Sequence, residues 1–438
     1  MNHKDLKSET QKIQEKVRKW TMGEYTFHIE TSQTVSRMDK EEKLARLNTV
    51  FTPHQPVNTS FFCGRIDQLR KIDKTLKEGG SHAVLYGDRG VGKTSLANFT
   101  KFLIDEKKFL DISISQCYKV NCNQTDTFGD IWRKVFKKIN LTSQRNSIGF
   151  VHNSEKQITA LSSYIDQKED IKPSEVIDII NILPPCLLIF DEFENAKNQS
   201  VREKFSYTIK ALSDENPNIT ILLVGIAENI HGLIHDHKSL ERCLRQIHLP
   251  HMNDTELEAI IDKGFEALEL NITPNVKNDL VEFSQGFPYY VHLLAKNIAE
   301  IAIINDHQNI DERHLEAGID EAIKDAHETT RISYESAISI NRQTIITYED
   351  VISACVLASQ EYPDGFKTCD LKVPLQKITG KRPKEQNYRF HLDELTKQNR
   401  GSILRKIGSA NKHRYVFSSP LVKAFVYLKM YQTGKIRH

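Results

Sequence analysis

The chain has 438 residues, 39% hydrophobic and 27% charged, with 60 Lys and Arg against 58 Asp and Glu. That length exceeds one core and implies two or three domains. No stretch approaches the ~18 apolar residues of a membrane span. The polar start "MNHKDLKSETQKIQEKVRKW" lacks the apolar segment of a secretory signal, so a cytoplasmic, non-membrane protein is expected.

Residues 1–45 are charged and helix-prone without a core pattern, and read as an oligomerisation helix or a flexible arm. Two prolines in "VFTPHQPVNTSFFCGRIDQLRKIDKTL" predict an extended lead-in, with a helix beginning after Gly64. "HAVLYG" is a short apolar strand, a glycine loop follows, and residues 93–105 carry helical spacing. "CYKVNC" predicts a second strand and "DTFGDIWRKVFKKI" an amphipathic helix. Residues 141–170 are polar and fit an insertion that contacts a partner. "SEVIDIINIL" predicts a helix opening on Ser174. "PCLLIFDEFE" and "ITILLVGIAEN" are continuously apolar strands, and "RQIHLP" is a short fifth. Such strands alternating with helices predict an α/β fold, a five-stranded parallel sheet covered on both faces.

From about residue 252 the pattern is helical only, through "NDTELEAIIDKGFEAL", "NVKNDLVEFS", "PYYVHLLAKNIAEIAI" and "DERHLEAGIDEAIKDA". Beyond residue 348 three further helices are predicted: "YEDVISACVLAS", "CDLKVPLQKITG" and "KEQNYRFHLDELTKQ". A hairpin runs from "GSILRKIG" to "RYVFSS", and "PLVKAFVYLKM" closes the chain as a helix. The expected domains are an arm over 1–45, a nucleotide-binding core over 46–250, a helical lid over 251–335 and a winged helix-turn-helix over 336–438.

The seven cysteines, Cys63, Cys117, Cys122, Cys186, Cys243, Cys355 and Cys369, are scattered and odd in number, which predicts reduced thiols. Cys117 and Cys122 lack the second pair a zinc site needs, and His231, His235 and His237 in "HGLIHDH" read as a solvated loop or helix edge.

Gly87-Asp88-Arg89-Gly90-Val91-Gly92-Lys93-Thr94 matches the phosphate-binding pattern G-x-x-x-x-G-K-[ST], in the required context of strand, loop and helix. Its backbone N–H groups, with Ser95 beginning the helix, would cradle the phosphates of ATP or ADP. Lys93 would reach the β- and γ-phosphates, and Thr94 would hold Mg²⁺. Asp191 and Glu192 end a buried strand: Asp191 would orient the Mg²⁺ shell, and Glu192 would act as general base on the attacking water. Glu194 reads as a surface or supporting acid. Asn229, ending the next strand, would touch the γ-phosphate or the water, or cap its loop. Arg242 and Arg245 precede the fifth strand, and either is an arginine finger toward a neighbouring subunit or a helix-surface residue.

The order of glycine loop, "FDE" strand, "VGIAEN" strand, arginine helix and helical lid resembles AAA+ ATPases. It is nearest the origin-recognition and replication-initiator-like clade and the related STAND-type ATPases. "FFCGRIDQLRKI" is similar to the F-x-G-R-x-x-x-L segment bordering the adenine there, which implies that Phe62, Gly64 and Arg65 line the base. Replication initiators carry a γ-phosphate-sensing arginine early in the lid. Here Tyr289 and Tyr290 stand in that stretch. Gly286-Phe287-Pro288 instead resembles the STAND G-x-P signature, which implies that Pro288 packs on the adenine and that slow hydrolysis serves a switch.

Residues 366–438 hold 17 Lys and Arg against 4 Asp and Glu, which leaves the preceding chain net acidic. A basic C-terminal module points to double-stranded DNA. Lys384, Gln386, Asn387, Tyr388 and Arg389 fall in the first turns of the predicted recognition helix, where base edges are read. Arg405, Lys406, Lys412, His413 and Arg414 on the hairpin would contact phosphates. The reading is an ATP-controlled switch that binds DNA and assembles through its ATP site with copies of itself or another partner. Two alternatives stand beside it. One is a STAND-like signalling or defence ATPase that oligomerises and recruits a separate effector; the other is a transposition-type regulator that forms filaments on DNA.

Overall fold

A computed structural model describes residues 38–108, 114, 116–145, 155–165, 170–196, 198–225, 238–339, 346–409 and 413–436. Asn229, the histidines of "HGLIHDH", Lys412 and the first 37 residues lie outside them.

The five predicted strands form one parallel sheet. They are β1 (His82–Tyr86), β2 (Gln116–Asn121), β5 (Cys186–Asp191), β6 (Ile219–Gly225) and β7 (Leu244–His248). Their spatial order is β2-β5-β6-β1-β7. The strand feeding the glycine loop and the strand ending in Asp191 are thus separated only by β6. Every residue of β5 and β6 is buried, because helices cover both faces. Helices α2 (Ile66–Lys77) and α3 (Lys93–Asp105) flank β1 in sequence. Helices α4 (Phe128–Phe136), α5 (Pro173–Ile180) and α6 (Gln199–Glu215) complete the layers. Trp132, Phe128 and Phe136 of α4 pack with Phe190 of β5 and Phe205 of α6, with Trp132 and Phe190 ring centroids 5.2 Å apart. A capping box of Thr127 and Asp130 starts α4. Helix α5 opens one residue earlier than predicted, on Pro173, which a first helical position favours because no N–H is lost there.

The polar stretch after α4 contains an antiparallel hairpin, β3 (Asn140–Arg145) with β4 (Glu155–Ala160). Helices α7 (Asp254–Ala267), α8 (Pro274–Ser284), α9 (Pro288–Ile304) and α10 (Glu312–Asp325) make up the helical layer where the lid is expected. Between them β8 (Asn271–Ile272) pairs with β9 (Asn309–Ile310). Helix α1 (Lys40–Val50) packs on α9. The end of the predicted arm is therefore part of the lid layer. Its anchor is Phe51, whose ring fills the space beside Gly264, where a Cβ would stand 2.2 Å from Phe51 Cζ.

The C-terminal module holds α11 (Glu328–Ile338), α12 (Tyr348–Glu361), α13 (Lys372–Thr379) and α14 (Arg389–Glu394). Its hairpin is β10 (Leu404–Ile407) with β11 (Arg414–Phe417), and α15 (Pro420–Gln432) closes it. The predicted long helix "KEQNYRFHLDELTKQ" is broken. A 3₁₀ turn covers Glu385–Asn387, and α14 has six residues. The break is at Tyr388, whose fully buried side chain takes the backbone to φ −130. Tyr388 is therefore core, not a base reader.

Two core histidines couple this packing to pH. His82 Nδ1 accepts the Ile221 N–H at 3.0 Å, and His292 Nδ1 accepts the Thr52 N–H at 3.3 Å. Each needs a neutral imidazole, and burial pushes both from 6.5 down to about 4. Below pH 6.5 the unfolded chain takes up protons that the folded chain refuses, so stability falls with pH at ~1.4 kcal/mol per unit for each group. His292→Gln keeps an acceptor without a titration. Urea unfolding should show its slope between pH 6.5 and about 5 reduced by roughly one group's share.

Candidate functional site

Strand β1 delivers the chain into the glycine loop, and α3 leaves it with Lys93 as its first residue. The helix N-terminus and the loop N–H groups form an anion-binding concavity. Lys93 Nζ lies inside the loop and donates to the carbonyls of Gly87 (3.0 Å) and Asp88 (2.8 Å). Burial lowers its pKa, while Glu194, Asp88 and Asp191 raise it. Thr94 and Ser95 follow, both half-buried. Ser95 Oγ accepts the Val57 N–H at 3.2 Å, so it ties the extended lead-in to α3. Phe62 stacks on Phe99 of α3, centroids 4.3 Å apart.

Arg65 is only 2% exposed and acts as a clamp behind the loop. Its guanidinium donates to Val91 O and Pro250 O, both at 2.8 Å, and its backbone N–H donates to Glu256 Oε1 at 2.7 Å. Loop, β7 exit and lid helix α7 thus meet on one residue, the first two through its guanidinium and the third through its backbone N–H. Burial lowers its pKa to about 10, against the pull of Glu256. Gly64 sits at φ +69, where a Cβ would stand 2.7 Å from Glu256 Oε1. Glycine is required there both for the left-handed backbone and for the approach of α7.

At the end of β5, Asp191 is 2% exposed, and its Oδ1 accepts the Glu192 N–H at 2.9 Å. Lys119 of β2 lies 2.9 Å from Oδ2 as a charge neighbour, without the alignment of a hydrogen bond. The same ammonium donates to Asn98 Oδ1 at 2.6 Å. Lys119 escaped the sequence reading, since a lysine on a sheet-edge strand has no motif. Asp191 Oδ2 and the Thr94 hydroxyl are hard oxygen donors of the kind that Mg²⁺ takes. Glu192 takes the left-handed conformation (φ 56) and is exposed; among the described residues its carboxylate accepts a long 3.5 Å contact from Asn195 Nδ2. Glu194 is less exposed, and burial raises its pKa.

The helical layer meets the loop from the other side. Asp88 accepts from His251 Nε2 at 3.1 Å, a contact that holds its carboxyl below the usual range. The His251 ring packs on Phe287, centroids 4.3 Å apart. Pro288 opens α9 close to the loop, its Cγ 3.9 Å from where a Gly92 Cβ would stand. Tyr289 Oη accepts the His327 N–H at 3.1 Å. Tyr290 is fully buried, and its Oη donates to Leu421 O at 2.7 Å. Leu421, in the first turn of α15, also covers the loop tip. Gly90 (φ +86) could carry no Cβ without meeting Leu421 Cδ2 at 2.9 Å. Arg89, beside it, is exposed.

Arg245 does not precede β7 but lies within it, ion-paired to Glu78, the residue that follows α2. Arg242, at the end of a 3₁₀ turn, is exposed. In the C-terminal module Lys384, Gln386, Asn387, Arg389, Arg405 and Arg414 are exposed. Lys406 is exposed too but pairs with Asp393 at 2.6 Å. Phe390, beside Arg389, is 64% exposed. All seven cysteines are free. Among the described residues no helix is long and apolar enough to cross a membrane, and no group of His, Cys, Asp and Glu could hold a metal by itself.

The family model for Novel STAND NTPase 1 matches residues 50–337. No curated protein matches the chain. Among solved structures, the chain is similar to the ORC1 protein of Aeropyrum pernix in complex with DNA: 14% identity, TM-score 0.45, covering 88% of this chain and 97% of that one. It is also similar to a Walker-type ATPase of Pyrococcus abyssi, with 16% identity, TM-score 0.48, and 86% and 99% covered.

Proposed function

This chain belongs to the Novel STAND NTPase 1 family, and we propose that it is an AAA+ switch that binds and slowly hydrolyses ATP to control a DNA-binding C-terminal module. The phosphates lie along the loop from Gly87 to Ser95, with Lys93 on the terminal ones. Thr94 and Asp191 would hold Mg²⁺, which when bound offsets charge on the phosphate oxygens. The base lies between the lead-in, Phe62 and Pro288. Arg65 holds the loop in register from behind. Arg242 is offered to the site of a neighbouring copy. The basic module is a winged helix, and Lys384, Gln386, Asn387, Arg389, Arg405, Lys412 and Arg414 meet duplex DNA. Lys406 reaches it only by leaving Asp393.

One observation carries the switch. The first turn of α15 rests on the loop tip through Leu421 and is tied to the lid by Tyr290. A change in the loop or in the lid angle therefore moves the module directly. Tyr290→Phe removes the tie and keeps the ring. Duplex affinity measured with ATP, with ADP and without nucleotide should differ by roughly fivefold or more in the wild type and converge in the variant. Affinity should also fall steeply with salt. Duplex binding indifferent to nucleotide in the wild type would remove the proposed coupling.

Exposed Phe390 and Val373 on the same module favour a second reading, a signalling ATPase whose module binds a protein. Duplex binding that is absent at low salt would favour it.

A further inference from the structure

We infer that a cleft along the outer edge of β2 is a binding site for a phosphate-bearing anion, separate from the glycine loop. It follows from the groups that line the cleft and does not depend on nucleotide hydrolysis.

Strand β2 lies at the end of the sheet, next to β5 alone. An edge strand leaves backbone carbonyls without a strand partner, and here lysines cap them. Lys101 of α3 donates to Cys117 O at 2.9 Å, and Lys138, which follows α4, donates to Lys119 O. Both line a cleft of about 670 Å³, together with Lys119, Asn98 and Gln116. Lysines along an edge deter pairing with other chains, but that role ends at the edge carbonyls. Lys119 lines the same cleft and caps no carbonyl; its Nζ donates to Asn98 Oδ1 at 2.6 Å.

The hydrogen-bonding inventory of the cleft is one-sided. Asn98 Oδ1 is taken by Lys119, and Gln116 Oε1 by the Tyr118 hydroxyl at 2.9 Å. Each amide keeps its NH₂ group as a donor, without an acceptor among the described residues. Asp105 is the one carboxylate lining the cleft among the described residues, and it is held by Lys101 at 2.6 Å. Lys119 has Asp191 beside it at 2.9 Å. Lys138 has no carboxylate partner among the described residues. Three ammonium and two amide NH₂ groups thus line a space with no unpaired carboxylate.

Like charges brought together make each one harder to keep ionised. Lys138 shows it: desolvation, and then the charges of Lys101 and Lys119, lower its pKa. An anion in the cleft relieves that repulsion and gives both amides an acceptor. A phosphate group suits the set, because several strong acceptor oxygens carry its charge. A free phosphate compound and the phosphodiester backbone of a nucleic acid both present that group. Lys119 is shared between the cleft and Asp191, so an occupant is felt at the end of β5.

The test uses the full-length chain carrying Lys93→Ala, so that the glycine loop does not compete for phosphate. If the loop binds none, that change is without effect and the test stands. Equilibrium dialysis at fixed ionic strength measures binding of labelled pyrophosphate and of a labelled single-stranded oligonucleotide. Lys138→Glu is compared with Lys137→Glu, the same charge change on the adjacent lysine, which does not line the cleft. Both lysines are exposed, so the fold is retained, and melting temperature checks this. Pyrophosphate affinity should fall on the order of tenfold in Lys138→Glu and by less than about twofold in Lys137→Glu. Gln116→Ala removes a donor and no charge, and should lower it roughly threefold. A loss confined to pyrophosphate identifies a free phosphate compound, and a loss for the oligonucleotide identifies a phosphodiester strand; either supports the site. No binding of either probe, affinities that Lys138→Glu leaves unchanged, or equal losses in the two glutamate variants overturn it.

Discussion

Lys93→Ala should weaken nucleotide binding by on the order of 100-fold, about 2.7 kcal/mol. It should also remove any nucleotide dependence of duplex binding. The argument is electrostatic. Lys93 is the cation inside the loop, close enough to its wall to donate to two carbonyls. Burial works against its charge, and three acids around the site work for it. Charge-assisted hydrogen bonds to phosphate are roughly twice as strong as neutral ones, and alanine leaves the phosphates facing backbone N–H groups alone. Fluorescence titration with a labelled ATP analogue gives the first number; the duplex assay with and without ATP gives the second. Unchanged affinity in both would remove the phosphate site and its coupling together.

The second large effect is on the fold around that site. Arg65→Met should cost about 3–5 kcal/mol of stability, the range for breaking a buried, partnered charge. The methionine fills similar space but leaves Val91 O and Pro250 O without their donor and Glu256 without its cation. Val91 belongs to the glycine loop, so nucleotide affinity should fall as well. Lys71→Met, on the solvent-facing side of α2, is the control and should stay within about 0.5 kcal/mol. A loss below about 1 kcal/mol at Arg65 in urea unfolding would mean that the clamp is not carrying the loop.

The Arg65 result also marks where sequence and structure diverge. The F-x-G-R pattern points to a base-lining residue, yet the guanidinium turns into the protein and binds two carbonyls. Those carbonyls lie 26 and 185 residues away along the chain, so no local pattern could reveal them. Arg245 behaves alike. It reads as a candidate finger until the strand register brings it to Glu78. Glu194 reads as a surface or supporting acid, and it is less exposed than Glu192. The left-handed turn at Glu192 reverses their exposure, and such a turn has no signature when the residue is a glutamate. Helix α1 was hidden for another reason. It buries only Leu47 and Val50, with the stem of Lys43, and no apolar stripe is visible over such a short span.

What the sequence determined by itself is what depends on neighbours along the chain. Strands β5 and β6 are continuous apolar runs because both their faces are covered, and such runs show in composition. The glycine loop is legible because its backbone needs glycine at fixed spacing, and Lys93 and Thr94 must follow directly. The hairpin of β10 and β11 and the closing helix follow from the same local periodicities. The tertiary structure alone decided which residues meet across distance. It brought Leu421 onto Gly90, Tyr290 onto the start of α15, Lys119 beside Asp191 and Arg65 behind the loop. It also broke the predicted recognition helix, because burying Tyr388 outweighed the helical bonds of its neighbours. The physical reason is common to all of these. Packing and ion pairing join groups by position in space, whereas periodicity and motif spacing record only position along the chain.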